Sequence, residues 1–258
     1  MLPLTRAVPK ELLPVADRPL IQRASEEAVE AGAQEIVIVT NPSNEALLRQ
    51  YFASGEATAG ASVAEQDLAR LVERVPIRFL LQAEALGVAH ALRCARPALD
   101  GSPFLLILPD GVMLGASVGR LLAAATDARG GSAIAVANIE ASQADRYGVI
   151  DGEPLDERTW RLRRIVEKPQ RAEDAPSNLG IIGRYLLTHG IFDAIEAVPP
   201  GRDGELQISD ALMALAATES VVAVRYDDGH IDAGQPDGLL AASLEVARRG
   251  RLFPGLSL

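Results

Sequence analysis

The chain has 258 residues, 48% hydrophobic and only 4% aromatic, so one large α/β domain can build a core mainly of Leu, Val, Ile and Ala. With 35 acidic against 25 basic residues, the formal charge of −10 excludes the basic footprint that a nucleic-acid partner requires. The single cysteine, Cys94, excludes an internal disulfide and a cysteine-built metal cage. With no membrane-length apolar run and no leader-like start, a cytoplasmic location without a membrane partner is expected.

The chain opens irregularly. Pro9-Lys10-Glu11-Leu12-Leu13-Pro14 reads as an ordered loop, because prolines on both sides fix φ and remove donors. Lys10 is thereby placed. Asp17 with Pro19 predicts the start of a helix over residues 19–31, which stops at Gly32. Glu35–Thr40 is an apolar run of the kind that forms a buried strand. Helical patterns follow near 43–53 and 63–74, with an Ala/Gly/Ser/Thr-rich stretch over 53–64 expected to be a mobile surface loop. Ile77–Gln82 predicts a strand, 87–97 a helix, and Phe104–Asp110 and Ser132–Ile139 two further strands. This βαβα rhythm predicts a largely parallel sheet covered by helices.

From Tyr147 the texture changes. Tyr147–Gly152, Arg161–Lys168 and Asn178–Leu187 read as strands with short links, a β-rich layer expected to fold over the first. Helices resume at 188–198, 207–217 and 236–249, with a strand at Val221–Tyr226. No repeat or strong linker divides the chain, so a single domain over 1–258 is expected.

Several residues could carry chemistry. Asp110, in Leu108-Pro109-Asp110-Gly111, ends an apolar strand where open α/β sheets bind ligands. A carboxylate there suits Mg²⁺ against phosphates, and equally suits a turn before glycine. Asp232 in Gly229-His230-Ile231-Asp232-Ala233-Gly234 could be a second metal carboxylate, though alone it reads more readily as a loop aspartate; His230 stays unassigned. Gln82 offers a donor and an acceptor to a pyrimidine edge, and Gly87 would let backbone approach a flat base. His90, on the following helix, reads as packed rather than catalytic. Glu167-Lys168-Pro169 is an ordinary surface pair whose proline orients the lysine. Asn178 could bond a polyol or shape a turn. Gly204-Glu205-Leu206-Gln207-Ile208-Ser209-Asp210 reads as a helix cap.

Taken in order, Pro9-Lys10-Glu11-Leu12-Leu13-Pro14, Asp17-Arg18-Pro19, Gln82 to Gly87, Leu108-Pro109-Asp110, Tyr147-Gly148-Val149, Glu167-Lys168-Pro169, Ser177-Asn178-Leu179, Gly183-Arg184-Tyr185, Glu205-Leu206-Gln207 and Asp232-Ala233-Gly234 closely resemble the bacterial UTP–glucose-1-phosphate uridylyltransferases, within the wider sugar-1-phosphate nucleotidyltransferases. The resemblance implies a Rossmann-like, mixed but mainly parallel sheet with helices on both faces and a β-rich sugar-binding layer. Residues 1–140 would be mainly nucleotide-binding and 141–258 mainly sugar-binding. It implies formation of UDP-glucose and pyrophosphate from UTP and glucose 1-phosphate with Mg²⁺ as cofactor, in a homo-oligomer (dimer or tetramer).

By the same resemblance Lys10 meets the nucleotide phosphates, Gln82 and Gly87 the base, and Asp110 and Asp232 the Mg²⁺. Gly148, Glu167 and Asn178 meet the sugar, with Gly180 close by, and Lys168 meets the sugar phosphate. Lys10, Asp110 and Lys168 are the implied catalytic set. Two other readings stay open: a thymidylyltransferase acting on dTTP, and a non-catalytic nucleotide-sugar-binding or truncated regulatory homologue. The resemblance departs at the front. The family opens with a strand and a G-x-G-T-R loop ahead of a segment matching Leu2-Pro3-Leu4-Thr5. Met1 falls where the residue after that arginine would stand, so strand and loop are expected to be missing, through a misassigned start or a true truncation.

Overall fold

The structure, a computed structural model, describes residues 1–53, 60–201 and 204–250. In chain order the elements are β1 (Pro14–Val15), β2 (Arg18–Pro19), α1 (Leu20–Glu30), β3 (Ile36–Thr40), α2 (Pro42–Ala53), α3 (Val63–Arg74), β4 (Ile77–Leu81), α4 (Val88–Ala95), β5 (Phe104–Ile107), β6 (Gly111–Met113), α5 (Val118–Arg129), β7 (Ser132–Asn138), β8 (Gly148–Pro154), β9 (Thr159–Glu167), β10 (Leu179–Leu187), α6 (Ile191–Ala197), α7 (Ile208–Ala216), β11 (Val221–Arg225), β12 (His230–Asp232) and α8 (Pro236–Gly250). The chain divides into two compact units.

The first unit comprises Met1–Leu81, Leu108–Ala116 and the chain from Asp228 onward. Its parallel pair β3–β4 lies beside α1, α2 and α3, whose apolar faces meet in a core of Ile21, Ile38, Leu48, Phe52, Leu68 and Leu71. Helix α3 begins in a full capping box, with Ser62 and Glu65 each accepting from the other's backbone N–H. The expected 53–64 loop thus ends at Ser62, and its residues 54–59 lie outside the described residues. A second core of Val15, Leu20, Val112, Ala233 and Ala242 joins α8 to the two short antiparallel pairs, β1–β2 and β6–β12.

The expected helix start at Asp17 is displaced. Pro19 occupies the N-cap with no side-chain cap bond, and Asp17 turns instead to arginines. Arg18 bonds Asp17 at 2.8 Å, both Glu26 oxygens at 2.9 Å and Asp67 at 3.1 Å, while Arg23 holds Asp17 and the Val15 carbonyl. Burial opposes the Arg18 charge, but Asp17 and Glu26 outweigh it and raise its pKa further. This network ties the β1–β2 hairpin to α1 and α3. Arg18→Ala removes the cation that Asp17, Glu26 and Asp67 share, leaving them only Arg23, Gln22 and Arg70, and is expected to cost about 2 kcal/mol, read as a lower urea midpoint. An unchanged midpoint would show that the network holds nothing.

The second unit comprises Gln82–Ile107 and Ser117–Asp227. Its six-stranded sheet has the order β5-β10-β7-β11-β9-β8. The strands β7, β10 and β11 are buried almost throughout, as their Val, Ile, Leu and Ala content requires. The β-rich part expected after Tyr147 is present and is hydrogen-bonded into this same sheet. Val149 on β8 returns to pair with Gly180 on β10, so the sheet curls back on itself.

The fold is mixed α/β, yet a parallel majority is not found. Among the described residues only β3–β4 and β7–β11 pair in parallel, and the other pairings are antiparallel. The reason is local. Parallel pairing needs a long crossover, whereas β8 and β9 are joined by a short turn that forces a hairpin. Helix α5 lies in a stretch for which no element was expected, although Ser117 caps it by accepting from the Arg120 N–H and Gly130 closes it with φ +71°.

Candidate active site

In the first unit, Lys10 begins a single 3₁₀ turn, Lys10–Leu12, closed by bonds from Leu12 N–H to the Pro9 carbonyl and from Leu13 N–H to the Lys10 carbonyl. The Leu20 N–H holds the Leu13 carbonyl, and Leu12 packs on the first core. The loop is therefore ordered, and its lysine has a fixed origin. Nζ donates to Asp110 Oδ2 at 2.8 Å, with both side chains about one-third exposed. Burial works against the Lys10 charge. The charge and hydrogen bond of Asp110, with the charges of Glu11 and Asp232, outweigh it and hold the ammonium above its ordinary pKa.

Asp110 and Asp232 are brought together by the short β6–β12 pair, which aligns Gly111 with Asp232. The Ala233 N–H donates to the Asp110 carbonyl at 2.8 Å, and the Gly234 N–H to Asp232 Oδ1 at 2.8 Å. A Cβ added to Gly234 would lie 2.8 Å from Asp232 Oδ1 and 3.4 Å from Asp110 Oδ2. Both carboxylates thus border one small space that only glycine leaves open. Lys10 and Gly234 also line an open cleft of about 560 Å³ with Thr5, Arg6, Ser43 and Asn44.

No group of three or more His, Cys, Asp or Glu able to hold a metal occurs among the described residues. Two carboxylates bordering the gap that Gly234 leaves fit Mg²⁺, which binds through one or two carboxylates and completes its shell with water and phosphate oxygens. They would not fit a structural zinc, which needs four protein ligands.

In the second unit, Gly87 stands at the N-cap of α4 with φ +89°. A Cβ there would lie 2.6 Å from the Leu206 carbonyl oxygen. The Leu206 N–H donates to the Leu86 carbonyl and the Ala89 N–H to the Leu206 carbonyl, so the segment expected to cap α7 instead braces the Gly87 turn. Gln207 is the N-cap of α7 and makes no cap bond; its amide donates to Glu205. Gln82 Nε2 donates to the Gly87 carbonyl at 3.0 Å and meets His90 Nδ1 at 2.9 Å. Gly87→Ala combines a disfavoured φ with a backbone clash. It is expected to cost about 2 kcal/mol, read by chemical unfolding; a change within error would mean that the turn relaxes freely.

The remaining predicted residues gather at one end of β8, β9 and β10. Gly148 pairs with Glu167, and a Cβ on Gly148 would lie 3.0 Å from Glu167 Oε2, so glycine leaves room for that carboxylate. Lys168 adopts φ +45°, its N–H donating to the Tyr147 carbonyl and its side chain mostly exposed. Pro169 is buried beside it, which anchors the turn. Exposed Asn178 precedes β10 and accepts the Ile139 N–H at its carbonyl. Gly180 is buried, with Ile139 and Tyr147 closing over the place of its missing side chain. The sequence reading passed over Gly234 and Gly238 as functional positions. Their need for glycine comes from the fold of the Asp232–Gly238 segment on itself and, at Gly234, also from the approach of Asp110.

A paired lysine and two carboxylates around a glycine gap, on an α/β fold, have the chemistry that a phosphate-bearing ligand with a divalent cation would call for. The nucleotidyl transferase family model matches residues 1–249, and the chain belongs to that family. A UTP–glucose-1-phosphate uridylyltransferase of Pseudomonas aeruginosa is 38% identical over 250 residues, covering 94% of this chain and 89% of that protein. The Bacillus subtilis protein of the same name is 34% identical, covering 97% and 87%. Among solved structures, UDP-glucose pyrophosphorylase complexed with UDP-glucose superposes with a TM-score of 0.89 at 33% identity, covering 96% of this chain and 94% of that one.

Proposed function

We propose that this chain transfers a uridylyl group from UTP to glucose 1-phosphate, forming UDP-glucose and pyrophosphate. The observation that carries the reading is the convergence of Lys10, Asp110 and Asp232 on the Gly234 gap, in a chain similar to proteins named for that reaction. A phosphate oxygen of the sugar phosphate attacks the α-phosphorus in line. A new P–O bond forms, the bond to the bridging oxygen breaks, and pyrophosphate leaves with its electron pair. No protein nucleophile is required, so the protein's work is orientation and neutralisation of charge.

Lys10 neutralises nucleotide phosphate, exchanging Asp110 for an anionic oxygen. Lys168 does the same for the sugar phosphate. Gln82 and Gly87 take the base. Gly148 leaves space for Glu167, which accepts hydrogen bonds from sugar hydroxyls, with Asn178 as a further polar contact beside Gly180. Asp110 and Asp232 would hold Mg²⁺, whose charge lowers the cost of bringing two anions together.

Gln82 and Gly87 address an edge that uracil shares with thymine, so dTTP is the alternative nucleotide. Pyrophosphate release measured with UTP, dTTP or CTP, each with glucose 1-phosphate and Mg²⁺, is expected to be fastest with UTP. Equal release with CTP would overturn the base assignment. No helix among the described residues is long and apolar enough to cross a membrane; the cytoplasmic site of action is proposed on the family resemblance. We further propose a homo-oligomer, dimer or tetramer, on the family resemblance; light scattering giving a monomer mass would refute it.

A further inference from the structure

His90 sits within the first turn of α4, and its Nδ1 lies 2.9 Å from Gln82 Nε2. The same Nε2 lies 3.0 Å from the Gly87 carbonyl oxygen. A carbonyl oxygen only accepts, so this end of the Gln82 amide must be its NH₂ group. One hydrogen goes to Gly87. The second goes to His90, and Nδ1 can take it only as a bare lone pair. In this arrangement His90 Nδ1 is the acceptor, and both hydrogens of the Gln82 amide are committed.

What remains is a matched pair. Gln82 Oε1 and the Gly87 N–H make no hydrogen bond among the described residues. They offer one acceptor and one donor near the head of α4. Uracil presents N3–H beside a carbonyl oxygen, which is the complement. Cytosine presents a bare N3 beside an amino group, which is the reverse.

We propose that His90 is a positioning residue for pyrimidine selection: it pins the Gln82 amide so that its oxygen, rather than its NH₂, meets the base. This rests on the reading that Gln82 and Gly87 take the base. Turning the amide over would set Oε1 against the Gly87 carbonyl, and His90 could then serve it only by placing a proton on Nδ1. His90 is thus a second acceptor holding an orientation that Gly87 alone would hold less firmly.

The test reads binding, with the full chain titrated calorimetrically with UDP and with CDP. These ligands share ribose and phosphates and differ only in the base. The wild type is expected to bind UDP more tightly. His90→Leu keeps bulk and removes the lone pair, and is expected to shrink the preference about five-fold, the worth of one ordinary hydrogen bond. His90→Asn, whose Oδ1 can stand near the place of Nδ1, is expected to restore most of it. His90→Ala serves as a second test if the leucine variant unfolds. An unchanged UDP/CDP ratio overturns the proposal. So does equal weakening of both ligands, which marks a packing role. Gln82→Leu separates the two layers. If it weakens UDP while His90→Leu leaves the ratio intact, only the role of His90 falls. If it leaves UDP untouched, the base reading falls too.

Discussion

Asp110→Asn is expected to cut turnover by about a thousandfold or more while leaving the fold intact. The substitution keeps the shape of the side chain and an oxygen that can accept from Lys10 Nζ, so packing should hold. What it removes is charge. Asp110 is one of two carboxylates on the Gly234 gap and the direct partner of Lys10. With a neutral amide, the proposed Mg²⁺ site keeps only Asp232, and Lys10 loses the ion pair that raises its pKa. Initial rates of pyrophosphate release, with a thermal melt of the same preparation, separate chemistry from folding. A variant within tenfold of wild type would remove Asp110 from the metal site.

Gly238→Ala is expected to damage both stability and turnover without touching any group that meets substrate. Gly238 lies near the start of α8, and a Cβ there would collide with the Asp232 carbonyl oxygen and lie 3.0 Å from its carbon. Those are backbone atoms and cannot swing aside. Either α8, with Ala242, moves off the core of Val15, Leu20, Val112 and Ala233, or the Asp232 segment shifts. The first route costs about 2–3 kcal/mol of overpacking strain. The second displaces a carboxylate whose geometry the reaction needs, with a loss of about a hundredfold in rate. Urea unfolding and pyrophosphate release on one preparation check both. Wild-type behaviour in both would mean that the close approach is not real.

Legibility differed between elements for physical reasons. The runs behind β3, β7 and β10 are long and apolar, and α3 carries both a capping box and helical spacing. Each was readable because its signal lies within its own residues. The β6–β12 pair was invisible, since three-residue strands carry no periodicity and their partners stand more than a hundred positions apart. Yet that pair brings Asp110 beside Asp232. Asp17 looked like a helix start and Gly204–Asp210 like a cap because such residues commonly precede helices. Tertiary partners, the arginines for Asp17 and Glu205 for Gln207, took those side chains instead. His90 read as packed because a lone histidine has no local signature of what it holds. The candidate site residues were named from the order of motifs; their distances came only from long-range pairing.

The most direct measurement follows the phosphorus through the reaction. UTP, glucose 1-phosphate and Mg²⁺ are incubated with the chain, and the products are resolved by ³¹P NMR. The expected spectrum shows UDP-glucose and pyrophosphate growing in equal amounts, and neither forming when glucose 1-phosphate is left out. Phosphate or UMP released from UTP without the sugar phosphate, or no UDP-glucose at all, would contradict the uridylyl-transfer assignment.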